Sequence, residues 1–183
     1  MPSDFHFPLV KDEKILWTGR PAQGLLLTGQ DIFLIPFSLL WCGFAIFWEF
    51  TAVAGEKSAP FMKIWGAPFV LIGLYFVAGR FVADAWIRSS LRYAVTNKRA
   101  LIQRSWPTAK LTSINLRQAP DLELSMRADG GGTIRFGQQP SFWVRRDGFG
   151  SMTPSLDPTP QFLAIENARR VYQLIQETQS AEA

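Results

Sequence analysis

Two uninterrupted apolar runs constrain this chain more than anything else in it. Residues 32–48 read IFLIPFSLLWCGFAIFW and carry no charged side chain. Residues 64–79 read IWGAPFVLIGLYFVAG, and past the single Arg80 the apolar character continues through Phe81, Val82 and Ala83. A helix rises about 1.5 Å per residue, and a bilayer core about 30 Å thick needs about 20 residues to cross it. Each run reaches that length once flanking residues able to sit at the interface are counted. About ten residues of the first run are Leu, Ile, Phe or Val, each favouring insertion by about 0.3–0.6 kcal/mol, about 3–6 kcal/mol in sum. A helix made from this run has no polar face to offer water. The sequence predicts a transmembrane helical hairpin over residues 32–88, its helices at about 32–50 and 62–86, and not a pair of soluble core helices.

The flanks support this. Trp48, Trp65 and Trp86 fall at helix ends, where indole rings favour the headgroup level. Lys63 and Arg80 can run their alkyl stems along the helix and keep the charge at the surface. These five residues are the expected interfacial anchors. Pro36 lies near the start of its helix. Pro68 falls several residues inside the second and is expected to kink it and free a carbonyl. Gly43, Ala45, Gly66 and Gly73 are small enough to let helices approach closely, within or between chains.

The link between the runs is short and polar, so the helices are antiparallel and both termini share one side. Lys and Arg are more numerous beside the termini (Lys11, Lys14, Arg20; Arg80, Arg88, Arg92, Lys98, Arg99, Arg104) than in the link (Lys57, Lys63). The positive-inside bias places both termini in the cytoplasm, in a multi-pass membrane protein. Residues 1–29 lack the apolar core of a cleavable signal, and residues 1–31 read as a cytoplasmic, interfacial segment with a short strand around Ile15, Leu16 and Trp17.

Composition narrows the chemistry. The one cysteine, Cys42, lies inside the first run, which excludes a disulfide framework and a thiolate metal site. The one histidine, His6, is in the N-terminal tail. Asp121, Glu123 and Asp129 cluster only loosely, with Glu123 facing outward beside Arg127. No catalytic, cofactor-binding or metal-binding residue is expected, and the chain is read as a non-enzyme. A net charge of +4 is explained by the membrane flanks, so no nucleic-acid partner is expected. Arg80, Asp84 and Arg88 recur at i, i+4, i+8 and read as a charge ladder at the membrane boundary.

From Leu91 the period changes. Tyr93 and Val95 alternate with Arg92 and Ala94, and Thr96-Asn97-Lys98-Arg99 turns the chain into a second strand. Residues 110–116 and 122–127 are further strands, the latter strictly alternating. Asp129-Gly130-Gly131-Gly132 is a turn into a strand at 133–136. Residues 137–160 are irregular, rich in Gly and Pro. Thr159-Pro160 reads as a helix start, with Phe162, Ile165, Ala168, Tyr172 and Ile175 on one face.

The hairpin, the Tyr93-Ala94-Val95-Thr96-Asn97-Lys98-Arg99-Ala100 turn, the short strands, the last helix and Gly19-Arg20-Pro21 together resemble bacterial membrane-anchored proteins with a pleckstrin-homology-like domain. The most specific piece is Tyr93-x-x-Thr96-Asn97-x-Arg99. The resemblance implies an α+β domain over residues 91–183: a curved antiparallel sheet or partly open barrel capped by the C-terminal helix. It implies a place in a bacterial inner membrane and no enzyme activity.

The function expected is a binding or scaffold module held at the cytoplasmic face. Its partners are the bilayer, anionic lipid headgroups, or a protein or second copy of the chain. Arg88, Arg92, Lys98, Arg99 and Arg104 are the candidate headgroup contacts, since each basic residue near an anionic leaflet adds about 1 kcal/mol. Phe142, Trp143, Arg145, Arg146 and Phe149 form a candidate partner surface. The competing expectation is a small oligomeric transporter or channel component.

Overall fold

The computed structural model of the chain describes residues 7–55, 60–118, 121–127, 129–137 and 153–181, with the side chains of Pro60, Met62, Lys63 and Ala181 left aside. It divides into two compact units. One is Gly24–Ala85; the other joins the chain up to Gln23 with everything from Trp86 onward.

In the helical unit, α1 runs Asp31–Ala54 over 24 residues. At its start the Asp31 carboxylate reaches back to accept from the amide and hydroxyl of Thr28, in the segment that leads into the helix. After α2 (Pro60–Trp65), a second long helix covers Ala67–Ser89: α3 (Ala67–Leu74), a π-helical turn (Tyr75–Gly79) and α4 (Arg80–Ser89). Both long helices are apolar and long enough to cross a membrane, and only 22% of the most apolar stretch of each is buried. The core helix of a soluble protein hides such a surface. Here Phe33 is 79% and Leu40 74% exposed.

Pro68 does not kink a helix interior. It occupies the first turn of α3, where no amide hydrogen is needed, and the break falls one residue before α3, at Gly66. The close approach expected of small residues is real at Gly73, where a Cβ would stand 2.9 Å from the Cys42 Cα. Gly43 faces open space.

Among the described residues the strand unit holds seven antiparallel strands. β1 (Ile15–Gly19), β2 (Leu91–Thr96), β3 (Arg99–Arg104) and β4 (Lys110–Asn115) pair in that order in one sheet. β5 (Leu122–Met126), β6 (Gly132–Phe136) and β7 (Gln161–Ile165) form a second. Among the described residues the sheets do not join into a closed barrel. A C-terminal helix, α5 (Ala168–Ala181), completes an α+β unit. One core cluster includes Tyr93, Val95, Leu116, Ile134, Phe136, Phe162, Val171 and Ile175. Phe162 is fully buried, within ring contact of Trp17, Tyr93 and Phe136. Phe7 clusters separately with Ala94 and Leu101.

Two features differ from the sequence reading. Residues up to Gln23 are not only a lead-in to the membrane: β1 pairs with β2 from Ile15↔Thr96 to Gly19↔Tyr93, so both long helices are inserted in sequence between two adjacent strands. Nor does a helix start at Thr159-Pro160. Residues 161–165 form β7, every residue buried. The apolar run 162–165 within it is that of a strand covered on both faces, which periodicity alone does not separate from a buried helix. The helix begins after Asn167, whose left-handed backbone (φ 51°) and carbonyl open α5. Ala168, Val171, Ile175 and Thr178 form its buried stripe. Gly132 is required beneath it: a Cβ there would meet the Ser125 carbonyl oxygen at 2.6 Å and the Ala168 Cβ at 2.9 Å.

Candidate functional site

The turn between β2 and β3 carries the most specific motif of the sequence, and in the structure it is a clasp. Its centre is Glu13, whose side chain is fully buried. The Glu13 carboxylate accepts from Arg99 Nε (2.8 Å) and Nη2 (2.9 Å), Thr96 Oγ1 (2.8 Å) and the Val10 amide (2.7 Å). The Arg99 guanidinium beside it lowers its pKa to about 2, against a smaller opposing effect of burial, and the Val10 and Thr96 hydrogen bonds add to the lowering. Reciprocally, Glu13 raises the pKa of Arg99. Arg99 Nη2 also donates to the Pro8 carbonyl. Asn97 Oδ1 accepts from the Lys14 amide (2.8 Å), and Lys98 Nζ donates to the Lys11 carbonyl (2.9 Å). Tyr93, the first residue of the motif, accepts the Leu163 amide on its hydroxyl (3.2 Å). The motif residues thus bind the N-terminal segment and β7 to the centre of the first sheet. Sequence reasoning passed over Glu13, because one acidic residue inside Asp12-Glu13-Lys14 looks like any solvated charge.

This redistributes the five basic residues expected at lipid headgroups. Arg99 is committed to Glu13. Arg88 is 1% exposed and donates to the Ala22 carbonyl. Arg92 donates to the Ser89 and Leu91 carbonyls, both at 2.7 Å, and burial followed by the nearby Arg20 charge lowers its pKa. Lys98 sits at the clasp. Arg104 is half-buried at the end of β3, its Nε 3.3 Å from the Thr108 carbonyl.

Arg104 is directly opposite Lys110 in the ladder between β3 and β4. Two like charges in that relation destabilise a strand pair. Neither is within salt-bridge distance of a carboxylate among the described residues. Both line a cleft of about 260 Å³, together with Tyr93, Ile102, Leu163 and Asp157. That is below the roughly 300–1,000 Å³ of drug-sized ligand sites, so the cleft suits a small group and not a large cofactor. Among the described residues no three His, Cys, Asp or Glu side chains are placed to hold a metal.

The expected anchors also separate. Trp48, Trp65 and Trp86 are exposed, at 44%, 53% and 62%. Arg80 is not at a surface: it is 3% exposed, its Nη1 lies 2.6 Å from Asp31 Oδ1, and its Nε donates to the Phe76 carbonyl (2.9 Å). Asp84 and Arg88 are buried too, so all three charges expected as a ladder at the membrane boundary lie inside the protein. The Lys63 side chain and the residues Phe142, Trp143, Arg145, Arg146 and Phe149 lie outside the described residues. Glu123 is exposed and lies 3.8 Å from Arg135, its partner across the sheet, while Arg127 pairs with Asp129 at 2.8 Å.

Compared with known proteins, the chain matches no family model, no curated protein and no solved structure.

Proposed function

We propose that this chain is a non-enzymatic, membrane-anchored binding module. The long helices cross the bacterial inner membrane as a hairpin, and the strand unit is a pleckstrin-homology-like domain on the cytoplasmic side. The observation that carries the reading is the exposed apolar surface of two helices inserted in sequence between two paired strands. A 4 + 3 arrangement of antiparallel strands with a terminal helix supports the domain likeness. The clasp argues for architecture at the β2–β3 turn, which leaves the Arg104–Lys110 end of the first sheet as the ligand-facing end. There a small anionic group would relieve the facing charges.

The helical unit offers less to a transporter. Its buried Asp31 and Arg80 are paired with each other at 2.6 Å, and none of three clefts among the described residues is lined by either, whereas a pathway uses ionisable groups that face a cavity.

Membrane fractions from cells expressing the full chain provide the test. The protein should resist alkaline extraction, and a tag at Ala183 should be shielded from outside in intact cells. Release by alkali, or labelling of that tag from outside, would remove the reading. A selective ion current from proteoliposomes would replace it with the transporter.

A further inference from the structure

Trp86 and Trp106 stack with ring centroids 4.5 Å apart and planes 18° from parallel, yet they remain 62% and 41% exposed. Trp106 belongs to the loop 105–109 that joins β3 to β4. That loop is fastened to the end of α4. The Ser105 amide donates to the Ser90 carbonyl (3.2 Å), and Ser90 Oγ lies 3.0 Å from the Trp106 carbonyl. Trp86 itself lies near the C-terminal end of the membrane-length helix Ala67–Ser89. The loop is therefore pinned beside the point where that helix ends. Its two flanking strand residues are Arg104 and Lys110, facing each other without a carboxylate partner among the described residues.

Paired indoles, half exposed, with two adjacent cations have one environment that suits all four groups. Indole rings prefer the headgroup layer to either water or hydrocarbon. Lipid phosphates would separate and neutralise the facing cations. We propose that the 105–109 loop is a second membrane contact of this chain, besides the hairpin: the Trp86–Trp106 stack sits at headgroup level in an anionic leaflet, with Arg104 and Lys110 on lipid phosphates. The inference rests on the membrane reading of the two long helices. It also moves the headgroup contact away from Lys98, which lies at the far end of β2, about 20 Å along the strand at about 3.4 Å per residue.

The test uses the full chain in lipid nanodiscs, with Cys42→Ala and one new cysteine at a time carrying an environment-sensitive fluorophore: Ala109→Cys in the loop, Lys98→Cys at the far turn, Phe44→Cys in the first apolar run. In discs containing phosphatidylglycerol, lipids with a nitroxide at the headgroup should quench the Ala109 probe several-fold more than the Lys98 probe. Nitroxides at mid-chain should quench the Phe44 probe. Adding Arg104→Glu with Lys110→Glu should reduce the loop quenching in anionic discs and leave it unchanged in phosphatidylcholine discs. Equal quenching at Ala109 and Lys98, with Phe44 still quenched from mid-chain, overturns this inference and spares the membrane reading. Loss of the Phe44 signal overturns both. Abolition of the loop signal by millimolar inorganic phosphate would make the cation pair a site for free phosphate, and overturns it as well.

Discussion

The two units solve the same problem in opposite directions. In Gly24–Ala85 the large apolar side chains point outward: Phe33 and Phe50 are 79% and 72% exposed, and the buried positions are small or polar, such as Ser38, Cys42, Ala45 and Gly73. In the strand unit Phe162, Ile134 and Val95 are fully hidden. On the membrane reading proposed above, the difference follows from the solvent each unit faces. In water, burying apolar surface drives folding. In lipid, hydrocarbon tails are as apolar as leucine, so helices associate by close packing of small residues and by polar contacts. Asp31 with Arg80 and Gly73 on Cys42 are contacts of that kind in the first unit; in the second, the aromatic cluster around Phe162 supplies apolar burial instead.

The largest test of this contrast separates the units. Cutting the chain at Leu91 removes β1 and Glu13 and leaves Arg99 without its buried partner. Such a fragment should lose cooperative unfolding by circular dichroism. Joining Gln23 to Trp86 through a short flexible turn, with the hairpin deleted, should restore it in a soluble protein, because Gly19 already pairs with Tyr93. If the cut fragment folds as well as the joined one, β1 is dispensable and the insertion has no structural consequence.

Next in size is an aromatic truncation on each side. Phe162→Ala should destabilise the strand unit by about 3–5 kcal/mol, read as a lower denaturation midpoint in detergent. Phe33→Ala should leave that midpoint in place. A comparable loss from both would mean that the helix face is packed against protein.

The clasp gives a pH test whose sign is set by the lowered pKa of Glu13. A carboxyl at about 2 when folded and near 4.5 when unfolded contributes stability that is complete above pH 4.5. That contribution, about 3 kcal/mol at 1.36 kcal/mol per pKa unit, is lost as the pH falls from 4.5 toward 2. Glu13→Gln should be less stable at neutral pH and show a flatter acid limb. An unchanged acid limb would mean that another group controls it.

The smallest effect distinguishes glycines in the hairpin. Gly73→Leu must displace the Cys42 backbone and should weaken helix packing by about 1–3 kcal/mol, the range for overpacking. Gly43→Leu, facing open space, should not. Titration with a denaturing detergent measures both, and a larger loss at Gly43 would point to a helix contact between copies of the chain.

Much of this molecule is legible without coordinates. Residues 32–48 have no polar face in any conformation, so they could only be a helix exposed to lipid or one buried all round. The strands around Leu122 and Ile134 announce themselves by alternation, because a half-buried strand must show one face to each environment. Where both faces are covered that signal vanishes, and β7 passed for the start of a helix. The Glu13–Arg99 pair was hidden for another reason. Its partners are separated by 86 residues, and nothing local distinguishes a charge that folds inward from one left in water. Arg88 and Arg80 were misjudged in the same way, as surface charges.

Local composition and period therefore decide what kind of surface each segment presents: apolar helix, half-buried strand, polar turn. Only the assembled chain decides which distant segments meet. That β1 precedes two long helices and still pairs with the strand after them, that a clasp occupies the most distinctive motif, and that Arg104 faces Lys110 are facts of long-range pairing. Pairing energy depends on the partner brought into contact, and a sequence read residue by residue contains the partners but not the contact.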